Sequence, residues 1–197
     1  MTHSTLVHRR KTPASSNPFA VRDTNWGHVI REINGLPPFV SYAGSGHWND
    51  LDSLMIADGA FDGITTDERQ TMFSFWSIAC SPMIIGADIT NLDPGDLAIL
   101  TNSEVIAINQ AAIPPKPVST SGEQQVWYSK QADGSFAVGL FNFGAASAQV
   151  TARFTDVGAG SAMNVRDLVS HTDLGQSSGS FAATIPSHGS RLVRLTP

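Results

Sequence analysis

The chain has 197 residues, 41% of them hydrophobic and 15% charged, which is enough apolar material for one large domain or two small ones. Its net charge of −5 gives no attraction to nucleic acid or acidic membranes, and no apolar run reaches the length of a membrane span. A single cysteine, Cys80, excludes an intrachain disulfide framework or a cysteine-based zinc site, and the six histidines lack His-x-x-x-His spacing, so no metal is expected.

Residues 1–23 form an irregular lead-in with Pro13, Pro18 and Ser15-Ser16-Asn17, and no helical or alternating period. The start carries His3, His8, Arg9, Arg10 and Lys11 without an apolar stretch, unlike a signal peptide, which suggests a cytosolic or an artificial start. Behind the N-cap cluster Asp23-Thr24-Asn25, the residues Trp26, Val29, Ile30 and Ile33 mark one face of a helix that Gly35 and Pro37 should stop. The apolar run at residues 39–43 reads as a buried strand. Gly44-Ser45-Gly46-His47-Trp48-Asn49-Asp50-Leu51-Asp52 follows it. A lone Asn-Asp fits a polar turn equally well, but with an indole and a second carboxylate beyond a strand the stretch reads as a ligand site.

Residues 58–66 read as a loop, and Thr65-x-x-Glu68 has capping-box spacing. Met72, Phe73, Phe75, Trp76 and Ala79 form a helical apolar stripe, read as core, which Pro82 should end; Cys80, in the same pattern, reads as an inert packed thiol. Residues 83–86 suggest a second short buried strand, with Asp88 just past it. Asp93-Pro94 opens a further helix, and residues 103–109 a last helical turn. Residues 24–112 thus alternate helix and strand as βα units do. The pattern changes at Ile113-Pro114-Pro115-Lys116-Pro117. Residues 113–197 hold β-rich runs at 125–130, 135–143, 148–154, 163–168, 180–185 and 191–195, which predict an antiparallel sandwich or barrel.

Four of these stretches resemble glycoside hydrolase family 27, the α-galactosidases and α-N-acetylgalactosaminidases. Gly46-His47-Trp48-Asn49-Asp50-Leu51-Asp52 is similar to the family's Gly-x-Trp-Asn-Asp-Pro-Asp signature. Phe73-Ser74-Phe75-Trp76-Ser77-Ile78, Ser81-Pro82-Met83-Ile84-Ile85-Gly86-Ala87-Asp88 and Asn102-Ser103-Glu104-Val105-Ile106-Ala107-Ile108-Asn109-Gln110 follow in the family's order. The resemblance implies the C-terminal portion of a (β/α)8 barrel, with residues 39–43 as strand seven and 83–86 as strand eight, followed by an antiparallel β-sandwich domain. It implies hydrolysis of terminal α-linked galactose by double displacement without a cofactor.

By the same resemblance, Asp52 is the carboxylate that accepts hydrogen bonds from sugar hydroxyls, Trp48 supplies apolar ring surface, and Asn49 and Asp50 brace the loop. Leu51 and Ser53 stand where the family has Pro and Met. The family's Lys-x-Asp nucleophile motif is absent before residue 38. The acid/base position, five residues ahead of Trp26, holds Val21; Asp23 is the nearest carboxylate and also fits a helix N-cap. The expectation is therefore an inactive C-terminal part of such an enzyme that oligomerises or aggregates through an exposed barrel edge. A non-catalytic or vestigial carbohydrate-binding module is the competing reading, and a relative acting on α-N-acetylgalactosaminide or another α-glycoside a third. Family members are secreted or lysosomal; this chain's location is left open.

Overall fold

The computed structural model describes residues 25–44, 46–56, 63–87 and 89–197. The lead-in with Asp23, most of the loop at 58–66 and Asp88 lie outside these residues.

Helix α1 (Trp26–Gly35) starts at Asn25, whose side chain accepts the His28 N–H at 3.2 Å, and buries Val29 and Ile33. The expected strand at 39–43 is instead a 3-10 helix, Pro37–Tyr42. Pro37 and Pro38 explain the difference: two fixed φ angles suit a first helical turn, and two missing N–H donors suit no strand ladder. Phe39 and Tyr42 are 41% and 68% exposed, so the run is not buried either.

The parallel pairing lies further along the chain. Leu54 donates to the Ile84 carbonyl and accepts from the Gly86 N–H, both at 2.8 Å. The polar cluster thus leads into this strand and does not follow one. Among the described residues, residues 83–86 contribute this single bridge, and Ile84 and Ile85 are 60% and 42% exposed where burial was expected. In a parallel ladder Ile85 directs its own N–H and C=O away from Leu54, which leaves the edge open to another strand.

Helix α2 (Thr66–Ile78) has the full capping box, with the Glu68 N–H on Thr65 Oγ1 at 3.3 Å and the Thr65 N–H on Glu68 Oε2 at 2.7 Å. It is buried without a break from Thr71 to Ile78. It ends at Ile78, ahead of Pro82, because Cys80 turns the chain with a left-handed φ of 55°. Helix α3 (Pro94–Leu100) is capped by Asp93, and α4 (Ser103–Gln110) by Asn102. The Asn102 amide also donates to the carbonyls of Leu168 and Val169, both at 3.1 Å, tying α4 to the strands that follow.

Those strands are β1 (Lys116–Pro117), β2 (Gln124–Lys130), β3 (Phe136–Asn142), β4 (Ala148–Arg153), β5 (Ala162–Asp167), β6 (Thr172–Ser178), β7 (Ser180–Ile185) and β8 (Ser190–Thr196), with a short helix α5 (Phe154–Val157) between β4 and β5. An antiparallel sheet in the order β1-β2-β3-β8-β5-β6 packs on the pair β4-β7. Neither β6 nor α5 was expected. β6 is a polar edge strand with no alternation of burial to betray it, formed by pairing with β5.

All seven residues of β3 are buried because its two faces serve two cores. Val138 and Leu140 pack inside the sandwich, while Ala137 and Phe141 join Phe75, Trp76 and Val105 of the helices. The helical part and the sandwich share one apolar interface.

Candidate active-site loop

The loop ahead of Leu54 is fixed from several directions. Gly44 and His47 exchange backbone hydrogen bonds of 2.8 and 3.1 Å around Gly46, whose φ of 86° suits glycine. The Asn49 side chain donates to the Phe39 carbonyl at 2.9 Å, joining the loop to the 3-10 helix. Asp50 Oδ1 accepts the Asp52 N–H at 2.9 Å. The Leu51 N–H donates to Ser81 Oγ at 3.0 Å, and the Leu51 side chain is buried.

Asp52 has a φ of 70°, a left-handed conformation that Asp tolerates better than most residues. Its carbonyl accepts the indole N–H of Trp76 at 2.9 Å. Its Oδ1 accepts the Ser53 N–H at 2.7 Å and faces Ser53 Oγ at 3.3 Å, and its carboxylate lies at the surface. Gly86 makes this packing possible: a Cβ there would meet Ser53 Oγ at 2.6 Å and Met55 Sδ at 2.9 Å.

Asp50 and Asp52 are brought together, joined through the loop backbone. Trp48 looks elsewhere: it is half-buried and lines a shallow groove of about 240 Å³ with Cys80, Ser81, Pro82, Asn109 and Ala112, not with Asp52. Cys80 is buried there with Sγ 3.2 Å from the Ile113 carbonyl. Desolvation pushes its thiol up to about 11, against the smaller opposing effect of the carbonyl contact, so it stays protonated at neutral pH. Among the described residues no cluster of three or more His, Cys, Asp or Glu is placed to hold a metal ion, and no helix is long and apolar enough to cross a membrane. Sequence reasoning placed Trp76 in the core, where it is, but missed its hold on Asp52; the available signal is that a buried indole N–H needs an acceptor.

A family profile described as alpha galactosidase A matches residues 31–111, and one described as the alpha galactosidase C-terminal beta sandwich domain matches 121–195. Among solved structures, the family 27 β-L-arabinopyranosidase of Geobacillus stearothermophilus is similar with a TM-score of 0.82 and 28% identity, over 88% of this chain and 42% of that one. The chain belongs to glycoside hydrolase family 27. α-Galactosidase I from Mortierella vinacea, another structural relative, has a TM-score of 0.79 and 32% identity, over 85% of this family 27 chain and 44% of its own. The α-galactosidase of Cyamopsis tetragonoloba is 35% identical over 179 residues, 89% of this chain and 43% of the relative. Alpha-galactosidase 3 of Arabidopsis thaliana is 36% identical over 185 residues, 90% and 41% respectively. The chain thus spans less than half the length of these relatives. Its fold is the last portion of the family 27 barrel, followed by the antiparallel β-sandwich.

Proposed function

We propose that these residues form one wall of the sugar site of an α-galactosidase-type retaining glycosidase, with Asp52 as the carboxylate that binds sugar hydroxyls. In this reading residues 24–112 are barrel and 113–197 are the β domain. The observation that carries it is the Asp52 loop itself, seated beside the parallel bridge between Leu54 and Ile85 and pinned by the buried Trp76 indole. Active sites of such barrels gather on the loops at one end of the strands.

Asp52 serves binding and not covalent chemistry. A retaining glycosidase needs two carboxyl groups about 5–5.5 Å apart on opposite sides of the scissile bond. Asp50 and Asp52 instead share one loop, where Asp50 is engaged with the Asp52 backbone. Asn49 and Asp50 are loop supports, and Trp48, which lines the neighbouring groove with Ser81 and Pro82, is left out of the sugar wall. The nucleophile is not among these 197 residues, so the chain alone does not turn over. The Geobacillus relative favours a second substrate: β-L-arabinopyranose has the ring configuration of α-galactose without its exocyclic hydroxymethyl. The open strand edge and exposed Ile84, Ile85 and Ile89 favour self-association of the chain.

Purified chain offered p-nitrophenyl α-D-galactoside and p-nitrophenyl β-L-arabinopyranoside is expected to release no nitrophenol, to bind galactose saturably, and to lose that binding in Asp52→Ala. Turnover overturns the inactivity, and wild-type protein blind to galactose overturns the sugar wall. In sedimentation the same protein is expected above monomer mass; a cooperatively melting monomer counts against the self-association.

A further inference from the structure

We propose that the β-sandwich positions the Asp52 loop through α2, and that His188 and Trp76 are the positioning residues at the two ends of this coupling. Its meaning for sugar binding rests on the reading of Asp52 given above; the coupling itself stands on contacts alone.

His188 sits in the turn between β7 and β8 with a left-handed φ of 56°. Its Nδ1 lies 2.5 Å from Oε1 of Glu68, which is buried. Glu68 Oε2 meanwhile accepts the Thr65 N–H. One carboxylate therefore both caps α2 and grips the sandwich, 120 residues away in sequence. A buried carboxylate persists only when its oxygens are hydrogen-bonded, so the His188 contact is a condition for α2 to sit where it does.

The imidazole also opens a chain of ring contacts that leads back to the loop. It stacks on Trp26 at 4.6 Å and 17°. Trp26 lies 6.2 Å from Phe143, Phe143 lies 6.2 Å from Phe75, and Phe75 meets Trp76 edge-on at 6.5 Å. Trp76 ends the series by donating its indole N–H to the carbonyl of Asp52. That bond and the Asp50 carboxylate on the Asp52 N–H together fix the left-handed backbone of Asp52. Apart from Trp26 on α1, the series runs through the sandwich at His188 and Phe143 and then crosses to α2 at Phe75 and Trp76, so displacing the turn at His188 displaces the support of Asp52.

The molecule contains its own control. His171, also left-handed at φ 58°, sets Nδ1 2.8 Å from Glu104 in the first turn of α4. This second histidine–glutamate contact joins the same two parts but does not belong to the ring series.

The test is hydrogen exchange of the Trp76 indole N–H, followed by NMR in the full chain. His188→Ala is expected to raise that exchange roughly tenfold, the effect of losing one charge-assisted hydrogen bond. His171→Ala, compared at matched global stability, is expected to leave it unchanged. Unchanged exchange in His188→Ala, or an equal rise in His171→Ala, overturns the coupling. Should His188→Ala fail to fold, Glu68→Gln weakens the same contact and is read the same way: faster exchange supports the coupling and unaltered exchange overturns it. Galactose affinity reports separately. Wild-type protein with a protected indole and no galactose binding loses the sugar reading and keeps the coupling.

Discussion

The sandwich and the helical part solve the problem of burial differently. In the sandwich every residue of β3 is buried between two cores, and among the described residues Val118 and Leu174 are its only exposed large apolar side chains. In the helical part Phe39, Tyr42, Ile84, Ile85, Ile89 and Leu97 all face outward. The contrast follows from strand direction. Antiparallel neighbours such as β2 and β3 are joined by a short turn and complete each other locally, whereas parallel strands need partners delivered by long crossovers. A piece of a parallel barrel therefore depends on something beside it, and here its core is completed by the sandwich, through Trp127, Phe141 and Leu192.

The sharpest way to break this contrast is at Phe75. Its ring is fully buried and lies 5.3 Å from Trp127 and 5.2 Å from Phe141, both in edge-on contact. Phe75→Ala is expected to cost about 3–5 kcal/mol, the usual toll of emptying a packed aromatic site. If the sandwich supports the helices and not the reverse, urea unfolding followed by helical signal should move to much lower denaturant while exchange protection of the Val138 and Leu140 amides, in the sandwich's own core, is lost later. Coincident transitions show one cooperative unit and remove the asymmetry.

A second, smaller effect is acid sensitivity at the other junction. Glu104 accepts two hydrogen bonds from Arg166, at 2.7 and 2.8 Å, and meets His171 at 2.8 Å. The Arg166 hydrogen bonds, against the opposing cost of burial and with help from His171, lower the Glu104 carboxyl from 4.5 to about 2. A carboxyl depressed in the folded state stabilises above its unfolded value and loses that contribution as pH falls toward its folded value. The urea midpoint should therefore fall between about pH 4.5 and 2, and Glu104→Gln should flatten that part of the profile. An unaltered profile in the variant assigns the acid sensitivity to other carboxyls.

Much of this was legible from residue order. The Thr65–Glu68 capping box, the Asp93-Pro94 start, the buried stripe of α2 and the runs that became β2, β3, β4, β5, β7 and β8 all follow from local chemistry. The strand expected at 39–43 failed because an apolar run alone does not distinguish a strand from a helical turn, and Pro37-Pro38 decided it. β6 was invisible because pairing with β5, not its own burial pattern, makes it a strand. At the loop, Asp52 and its neighbours stood out by composition. The grip of Trp76 did not, because periodicity predicts which face is buried and says nothing of which acceptor an indole finds. Nor does any local pattern join His188 to Glu68.

The smallest expected effect tests whether the α2 cap and the sandwich contact are separable. Thr65→Ala removes the acceptor of the Glu68 N–H and should cost about 1 kcal/mol, the ordinary value of an N-cap. The Thr65 backbone N–H remains, so Glu68 keeps that bond and its contact with His188. The variant should therefore lower the urea midpoint slightly while leaving Trp76 indole exchange at its wild-type value, opposite to His188→Ala. If Thr65→Ala frees the indole as well, the hold on Asp52 belongs to the order of α2 as a whole, and the sandwich acts on the loop only by keeping that helix folded.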